Sequence, residues 1–363
     1  MSVSTSRARV TPAQAPAQAP APAQAPAPAQ APAPAGPQEH PPPERHPPSE
    51  RQLEEHRVEL AGYCYRMLGS AFDAEDAVQE TLLRAWRGLA GFDGRSSVRT
   101  WVYRIATNVC LDLLRGRSRR AVPTDLTGPS APVLAALGEP RPAGEWVGPA
   151  PDARVLPTGG DPAEVAVARE SVRLAFVAAL QHLPPRQRAV LLLRDVLRWR
   201  ADEVAGLLDT SVAAVNSALQ RARATLAARC VDADPPAAAL DSGHRELLDR
   251  YVRAFERYDI DTLVALLQAD AVQTMPPYRL WLRGAGDIGR WMTGPGAGCA
   301  GSRLVPVAVN GSPGFAQYRR DPAGGHRPFS IQLVGCWGGR VARLNYFLDP
   351  ALFGLFGLPD RLP

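Results

Sequence analysis

The sequence predicts a multidomain protein: two all-α domains, then a C-terminal α+β domain, behind a disordered Pro/Ala-rich N-terminus. Three observations predict it. Apolar residues recur at helical spacing in two separate stretches, from Gln52 and again from Asp161. Between them, from about Ala121 to Gly160, Pro and Gly abound without periodicity, and a structureless run of that length is uncommon inside one compact domain. Beyond a second Pro/Ala-rich joint, two helical patterns give way to short strand-like runs broken at Asn310-Gly311 and Gly338-Gly339, the order of an α+β domain. The division that follows is a disordered tail over 1–50, a helical domain over 51–120, a flexible linker over 121–160, a second helical domain over 161–230, a joint over 231–242 and the α+β domain over 243–363.

A chain of 363 residues, 45% hydrophobic, has room for two or three ordinary cores. Its net charge of +5 is modest, so basic character matters only where it is concentrated. All 41 basic residues are arginine, which codon usage in a GC-rich genome explains, although arginine also makes better bidentate phosphate and base contacts than lysine. Cys64, Cys110, Cys230, Cys299 and Cys336 are too scattered for a zinc or redox motif and read as small buried hydrophobes in a reducing compartment. No apolar run near Met1 looks like a secretion signal, and none approaches the ~20 residues of a membrane helix. A cytoplasmic protein without membrane contact, metal or cofactor is the expectation.

In the tail, proline at every second or third position forbids a helix and almost nothing large and apolar is present to bury. From Gln52, Leu53, Val58, Leu60, Tyr63, Met67 and Leu68 mark a helical stretch that stops at Gly69. The next helix, DAEDAVQETLLRAWRGL, takes Asp73 as its cap and Asp76 as the answering residue. Ala74, Ala77, Val78, Leu82, Ala85 and Trp86 form its apolar stripe, and Asp73, Asp76, Gln79 and Glu80 an acidic face. Taken alone, an acidic first turn is ordinary complementation of the helix dipole. After a break at Asp93-Gly94 another helix starts from Ser96 or Ser97, with Val98, Val102, Ile105, Val109 and Leu113 facing a core. Its other face carries Trp101, Arg104, Asn108, Asp112 and Arg115 at three- and four-residue steps. Ring, guanidinium and amide together suit unpaired bases; a surface Trp with Arg104–Asp112 and Asp112–Arg115 pairs is the structural alternative.

Asp161-Pro162 reopens a helical pattern through VAVARESVRLAFVAALQHL, and Pro184-Pro185 opens the helix before a helix-turn-helix. There, Ala201 to Leu208 supports, Asp209-Thr210-Ser211 turns and caps, and Val212 to about Ala228 reads. Val212, Val215, Leu219 and Leu226 face inward. Ser211, Ala213, Asn216, Ser217, Gln220, Arg221 and Arg223 point elsewhere, small where a backbone must approach a groove and polar where bases and phosphates are in reach. In the last domain HRELLDRYVRAFERYDIDTLVALL gives two helices, AVQTMPP and YRLWLRG short strands, AGDIGRWM a small helix, and the remainder an antiparallel meander in a curved sheet. Asp270, Asp321, His326 and Asp349 could serve as acids or bases, but none form a close pair in sequence; Trp281, Trp291 and Phe329 read as lining or core.

DAEDAVQETLLRAW with FDGRSSVRTWVYRIATNVCLDLLR resembles region 2 of the bacterial extracytoplasmic-function (ECF) sigma factors, and LPPRQRAVLLLRDVLRWRADEVAGLLDTSVAAVNSALQRARATL resembles their region 4. Both blocks in this order across a linker are specific, though together they cover well under half of the chain. MPPYRLWLRGAGDIGRWM and the ending FLDPALFGLFGLP are similar to the SnoaL-like cone fused to some of these factors. The resemblance implies a subunit that binds core RNA polymerase, directs it to promoters and helps open DNA. It implies that Asp73, Asp76, Gln79 and Glu80 dock on the β′ clamp helices and that region 4 meets the β flap. It implies that Arg95, Ser97, Arg99, Trp101, Arg104, Asn108 and Arg115 act at the −10 element, and Ser211 to Arg223 at the −35 element. The cone it implies is a regulatory or ligand-sensing domain, with a small molecule as candidate partner. Two other readings stay open at this level. A stand-alone DNA-binding regulator would use the helix-turn-helix alone but leaves the acidic face and the Trp/Arg stripe unexplained; a fused isomerase, cyclase or hydrolase needs a carboxylate beside a histidine inside the cone.

Overall fold

A computed structural model describes residues 48–159, 161–229 and 242–363. The tail up to residue 47, the joint over 231–241 and Cys230 lie outside the described residues. The last residues assigned to the tail already begin a helix: α1 (Glu50–Glu54) is capped by Ser49, whose hydroxyl accepts from the Gln52 N–H while Gln52 reaches back to the Ser49 N–H. The single helical stretch predicted up to Gly69 is therefore two, and α2 (Arg57–Leu68) ends where Gly69 adopts a left-handed φ of 70°. In α3 (Ala71–Gly88) the cap is Ser70, which accepts from the Asp73 N–H at 3.2 Å, so Asp73 lies inside the first turn and is not the predicted cap. α4 (Val98–Leu114) starts from Ser97 as expected. Tyr63 and Tyr103, both fully buried, meet edge to face at 5.2 Å in the core between α2 and α4.

Residues 121–159 are not a free spacer. Ala121 bridges Trp146 in parallel fashion, Trp146, Val147 and Ala150 are buried, and a short helix α5 (Asp152–Val155) packs on α2. The contact needs Gly62, where a Cβ would fall 2.5 Å from the Val155 carbonyl oxygen. Composition suggested a flexible linker because Pro and Gly dominate; the few apolar residues among them are enough to fix the path once larger surfaces exist to receive them.

The pattern after Asp161 is broken in two, α6 (Pro162–Ser171) and α7 (Leu174–Leu180). At the break the Ser171 hydroxyl accepts from Arg66 Nε at 2.9 Å, and the Val172 carbonyl accepts from a side chain of the C-terminal domain. Then come α8 (Pro185–Leu191), extended by one wide turn over Leu192–Val196, α9 (Ala201–Leu207) and α10 (Val212–Arg229). Arg188, buried in α8, donates to Gln181 Oε1, the Leu183 carbonyl and, at the end of α2, the Met67 carbonyl, so it ties the two helical domains together.

The C-terminal domain opens with α11 (Ser242–Arg257) and α12 (Ile260–Leu266). It continues as β1 (Leu267–Thr274), β2 (Trp281–Arg283), α13 (Ala285–Thr293), β3 (Arg303–Val309), β4 (Ser312–Arg320), β5 (His326–Trp337), β6 (Arg340–Phe347) and α14 (Leu352–Leu355). The sheet order is β2-β1-β6-β5-β4-β3. β3 to β6 form the predicted meander, but β1 pairs with β6 in parallel, so the sheet is mixed. Alternation along the strands feeds two cores: Val334, Leu344 and Tyr346 face α11, α12 and α13, whereas Leu333 and Phe347 face α14 and the chain end. Among the described residues no helix is long and apolar enough to cross a membrane.

Candidate nucleic-acid interface

The turn before α10 works as the sequence suggests. Asp209 takes a left-handed φ of 50° and the Ser211 hydroxyl accepts from the Ala214 N–H at 3.1 Å. Val215, Leu219 and Ala222 are buried against α8 and α9, which leaves Ser211, Ala213, Asn216, Gln220 and Arg221 exposed and Ser217 half-buried on the outer side. Two expectations need correction. Val212 does not face inward; it is 42% exposed. Arg223 is exposed but not free, because its guanidinium grips Asp195 with two bonds of 2.6 and 2.9 Å.

On α4, Arg104, Asn108, Asp112 and Arg115 share one exposed face. Trp101 is half-buried, 5.0 Å from the Phe92 ring and directly over Gly88, where a Cβ would approach the indole to 3.1 Å. Arg95 is exposed and pairs with Asp93; Arg115 pairs with Asp112 at 2.9 Å. Arg104 does not pair with Asp112: it donates across to the Gly206 carbonyl of α9 at 2.9 Å. Arg99 is turned off this face. It binds Glu59 at 2.9 Å and lies 5.2 Å from the Tyr103 ring and 5.6 Å from the Trp199 ring. Burial would raise the Glu59 carboxyl, but the His56 hydrogen bond and the Arg99 charge overcome it and hold the group below its ordinary value. All four predicted −10 arginines thus have partners within the chain: Arg95 and Arg115 on nearby carboxylates, Arg99 on α2 and Arg104 on the second helical domain.

The acidic face of α3 is divided as well. Asp76 and Gln79 are exposed, and Glu80 pairs with Arg84 at 2.6 Å. Asp73 is taken by Arg117 at 2.8 Å and Arg120 at 2.7 Å, and Arg120 also donates to the Ala143 and Trp146 carbonyls at 2.8 Å. Trp86 is not part of the buried stripe: it is 53% exposed and, with Leu83 at 48% and Phe72 at 42%, forms an apolar row beside Asp76 and Gln79. A row spaced by 11 and three residues returns to nearly the same side of a helix, which is the signal the sequence carried for it.

One junction joins segments far apart in sequence. Asn310 and Gly311, at the β3–β4 hairpin tip, insert among three segments. Asn310 Nδ2 donates to the Tyr65 hydroxyl of α2 at 2.6 Å and to the Val172 carbonyl at 2.7 Å, while its Oδ1 accepts from the Ala150 N–H at 3.0 Å. The Tyr65 hydroxyl in turn donates to the Gly148 carbonyl, and the Gly311 N–H to Asp152 Oδ1, both at 2.8 Å. Asn310 sits at φ 53° and Gly311 at φ 68°, the left-handed pair that an Asn-Gly hairpin supplies.

The cone holds a cavity of about 350 Å³ between the sheet and its helices. Trp291 and Phe329 line it as expected, while Trp281 is buried elsewhere and donates its indole N–H to the Thr127 carbonyl at 2.8 Å. None of Asp270, Asp321, His326 and Asp349 lines the cavity: Asp321 and Asp349 cap turns, His326 bonds the Gly301 carbonyl, and Asp270 is exposed on β1.

Compared with known proteins, the chain matches the sigma-70 region 2 family over residues 53–120 and the sigma-70 region 4 family over residues 173–226. It is 50% identical over 313 residues to the ECF RNA polymerase sigma factor SigG of Mycobacterium tuberculosis, covering 85% of this chain and 83% of that protein. It is 30% identical over 328 residues to the ECF RNA polymerase sigma factor SigJ of the same organism, covering 85% and 95%. The crystal structure of SigJ superposes on 86% of this chain and 100% of its own at a TM-score of 0.56 and 24% identity, which shows a common fold. With half of the aligned residues identical to SigG, and with regions 2 and 4 both matched, the chain belongs to the ECF RNA polymerase sigma factors, which direct promoter-specific transcription initiation.

Proposed function

We propose that this sigma factor is held closed by its own C-terminal domain and opens when it engages polymerase and promoter. The observation that carries the reading is the Asn310 junction, which fastens the cone to α2, to the segment after α4 and to the start of the second helical domain at once. In that closed state the −10 arginines Arg99 and Arg104 answer Glu59 and Gly206 rather than DNA. In the open state α10 reads the −35 element through Ser211, Ala213, Asn216, Ser217, Gln220 and Arg221. Trp101, Arg104, Asn108 and Arg115, with Arg95, Ser97 and Arg99 alongside, hold the melted −10 strand, where stacking and arginine contacts offset the few kcal/mol of unpairing. The β′ clamp helices take Asp76, Gln79 and Glu80 with the Leu83–Trp86 row; Asp73 joins them once Arg117 and Arg120 let go. The second helical domain meets the β flap, and the cone regulates rather than catalyses.

In vitro transcription with core polymerase tests this directly on the full chain. Wild type is expected to initiate at promoters of its own genome, and Asn310→Gly, which keeps the backbone turn and deletes the three side-chain bonds, at severalfold lower sigma concentration. No initiation by either protein at any promoter defeats the assignment; equal activity of the two defeats the closed state.

A further inference from the structure

The cavity of the cone has features that narrow what can fill it. Its wall is aromatic and apolar, with Phe255, Trp291, Met292 and Phe329 among its members, and it carries one cation and no carboxylate or histidine. That cation, Arg319, stacks 4.4 Å over Phe329 and donates from Nε to the Gly298 carbonyl at 2.8 Å. Among the described residues no carboxylate stands within ion-pair distance of it. The guanidinium is partly exposed, so water can serve it beside a neutral guest, but a cationic guest would be repelled and an anionic oxygen is the group that complements it.

The second feature is Gln273 on β1. It is fully buried and lines the cavity, and among the described residues its Oε1 has no hydrogen-bond partner and its Nε2 only the Met275 sulfur at 3.6 Å. Its neighbours are satisfied: Gln332 donates to Gln317 at 2.9 Å and accepts from Tyr251 at 2.9 Å, and Gln317 donates to Ser302 at 3.0 Å. A buried amide oxygen left open beside a saturated network is a receptor for a donor on a guest.

The third is Leu137, a cavity-wall residue that comes from the segment after α4 and not from the cone itself. That segment is strapped to the cone by the Ser130 N–H on the Trp281 carbonyl at 2.8 Å and the Arg141 N–H on the Pro277 carbonyl at 3.0 Å.

We infer that the cavity binds a small, largely planar aromatic acid, its anionic oxygen on Arg319 and an N–H or O–H on Gln273, in a site complete only while the strap supplies Leu137. The inference rests on the reading of the cone as a regulatory domain, but it is tested by binding and not by transcription, so either can fail alone. The probes are 1-anilinonaphthalene-8-sulfonate and N-phenyl-1-naphthylamine, which share the rings and the N–H and differ by the sulfonate. Full-length protein is expected to bind the sulfonate saturably, one per chain. Arg319→Gln should weaken the sulfonate about tenfold and move the neutral amine less than twofold, Gln273→Met should weaken both, and Leu137→Trp should exclude both. Absence of saturable binding, a sulfonate affinity indifferent to Arg319→Gln, or binding that survives Leu137→Trp but disappears in Trp86→Ala would each overturn the inference, the last by putting the probe on α3.

Discussion

Asn310 donates to the Tyr65 hydroxyl at 2.6 Å across 245 positions of sequence, and both residues are buried. A lost partner in such a place costs about 1–3 kcal/mol, because the remaining group keeps its desolvation without its bond. Tyr65→Phe and Asn310→Gly are each expected to lower unfolding stability by about that much, and the double variant by less than the sum. Asn310→Ala should be worse than Asn310→Gly, since a left-handed backbone costs a non-glycine residue about 1–2 kcal/mol. Denaturant melts of the four variants beside the wild type measure this; strict additivity would mean that the two side chains are not coupled.

Asp152 completes the same junction by accepting from Gly311. Burial pushes its carboxyl above the ordinary value, against the opposing Gly311 N–H and the Arg169 charge. An acid whose folded pKa lies above its unfolded one makes the fold more stable as pH falls through the folded pKa, and less stable as pH rises through it. Asp152→Asn, which keeps the acceptor and removes the titration, is expected to flatten that slope between neutral pH and the ordinary carboxylate range. Thermal melts across this window decide it; an unchanged slope would assign the dependence to other groups.

What could be read before the structure was local. The Pro162, Ser211 and Asn310-Gly311 signals each act within four residues, and α9 and α10 begin where their caps and spacing place them. The candidate −35 face is legible for the same reason: once Val215 and Leu219 are inside, the helical period fixes which residues are outside. The rest depends on partners distant in sequence. Nothing near Arg99 announces Glu59 and Trp199, and nothing near Arg223 announces Asp195. Helical spacing puts Trp86 on the apolar stripe of α3, but among the described residues no surface covers it beyond about half.

The Arg223–Asp195 pair predicts a gain by deletion. Asp195→Ala releases a guanidinium on the outer side of α10, so binding to upstream-element duplex should tighten, with a log-log salt slope steeper by about one. Arg223→Ala should change affinity little in the wild-type background, whereas Arg221→Ala, at an exposed arginine whose guanidinium bonds, among the described residues, just the Ser217 hydroxyl one turn back, should weaken it severalfold. Fluorescence anisotropy over a salt series reads all three. A large loss in Arg223→Ala would mean that the pair opens on DNA and that Arg223 is a contact.

The apolar row on α3 separates a binding role from a folding one. Phe72, Leu83 and Trp86 are each about half-exposed, and exposed aromatic and aliphatic side chains beside acidic ones are the composition of a protein-binding patch. Because Trp86 contributes little to the core, Trp86→Ala should leave the melting temperature within about two degrees, as surface substitutions usually stay within ±0.5 kcal/mol. If the patch is where polymerase docks, the same change should weaken the sigma–core complex by at least tenfold, the cost of about 1.4 kcal/mol that marks an interface anchor. Asp76→Arg should act in the same direction through charge, most strongly at low salt, because a single rim charge is screened within about 10 Å at 0.1 M. Core-binding titrations at two ionic strengths, run beside the melts, distinguish the outcomes. Weakened binding with intact stability identifies α3 as the polymerase face; a parallel fall in both makes Trp86 a structural residue.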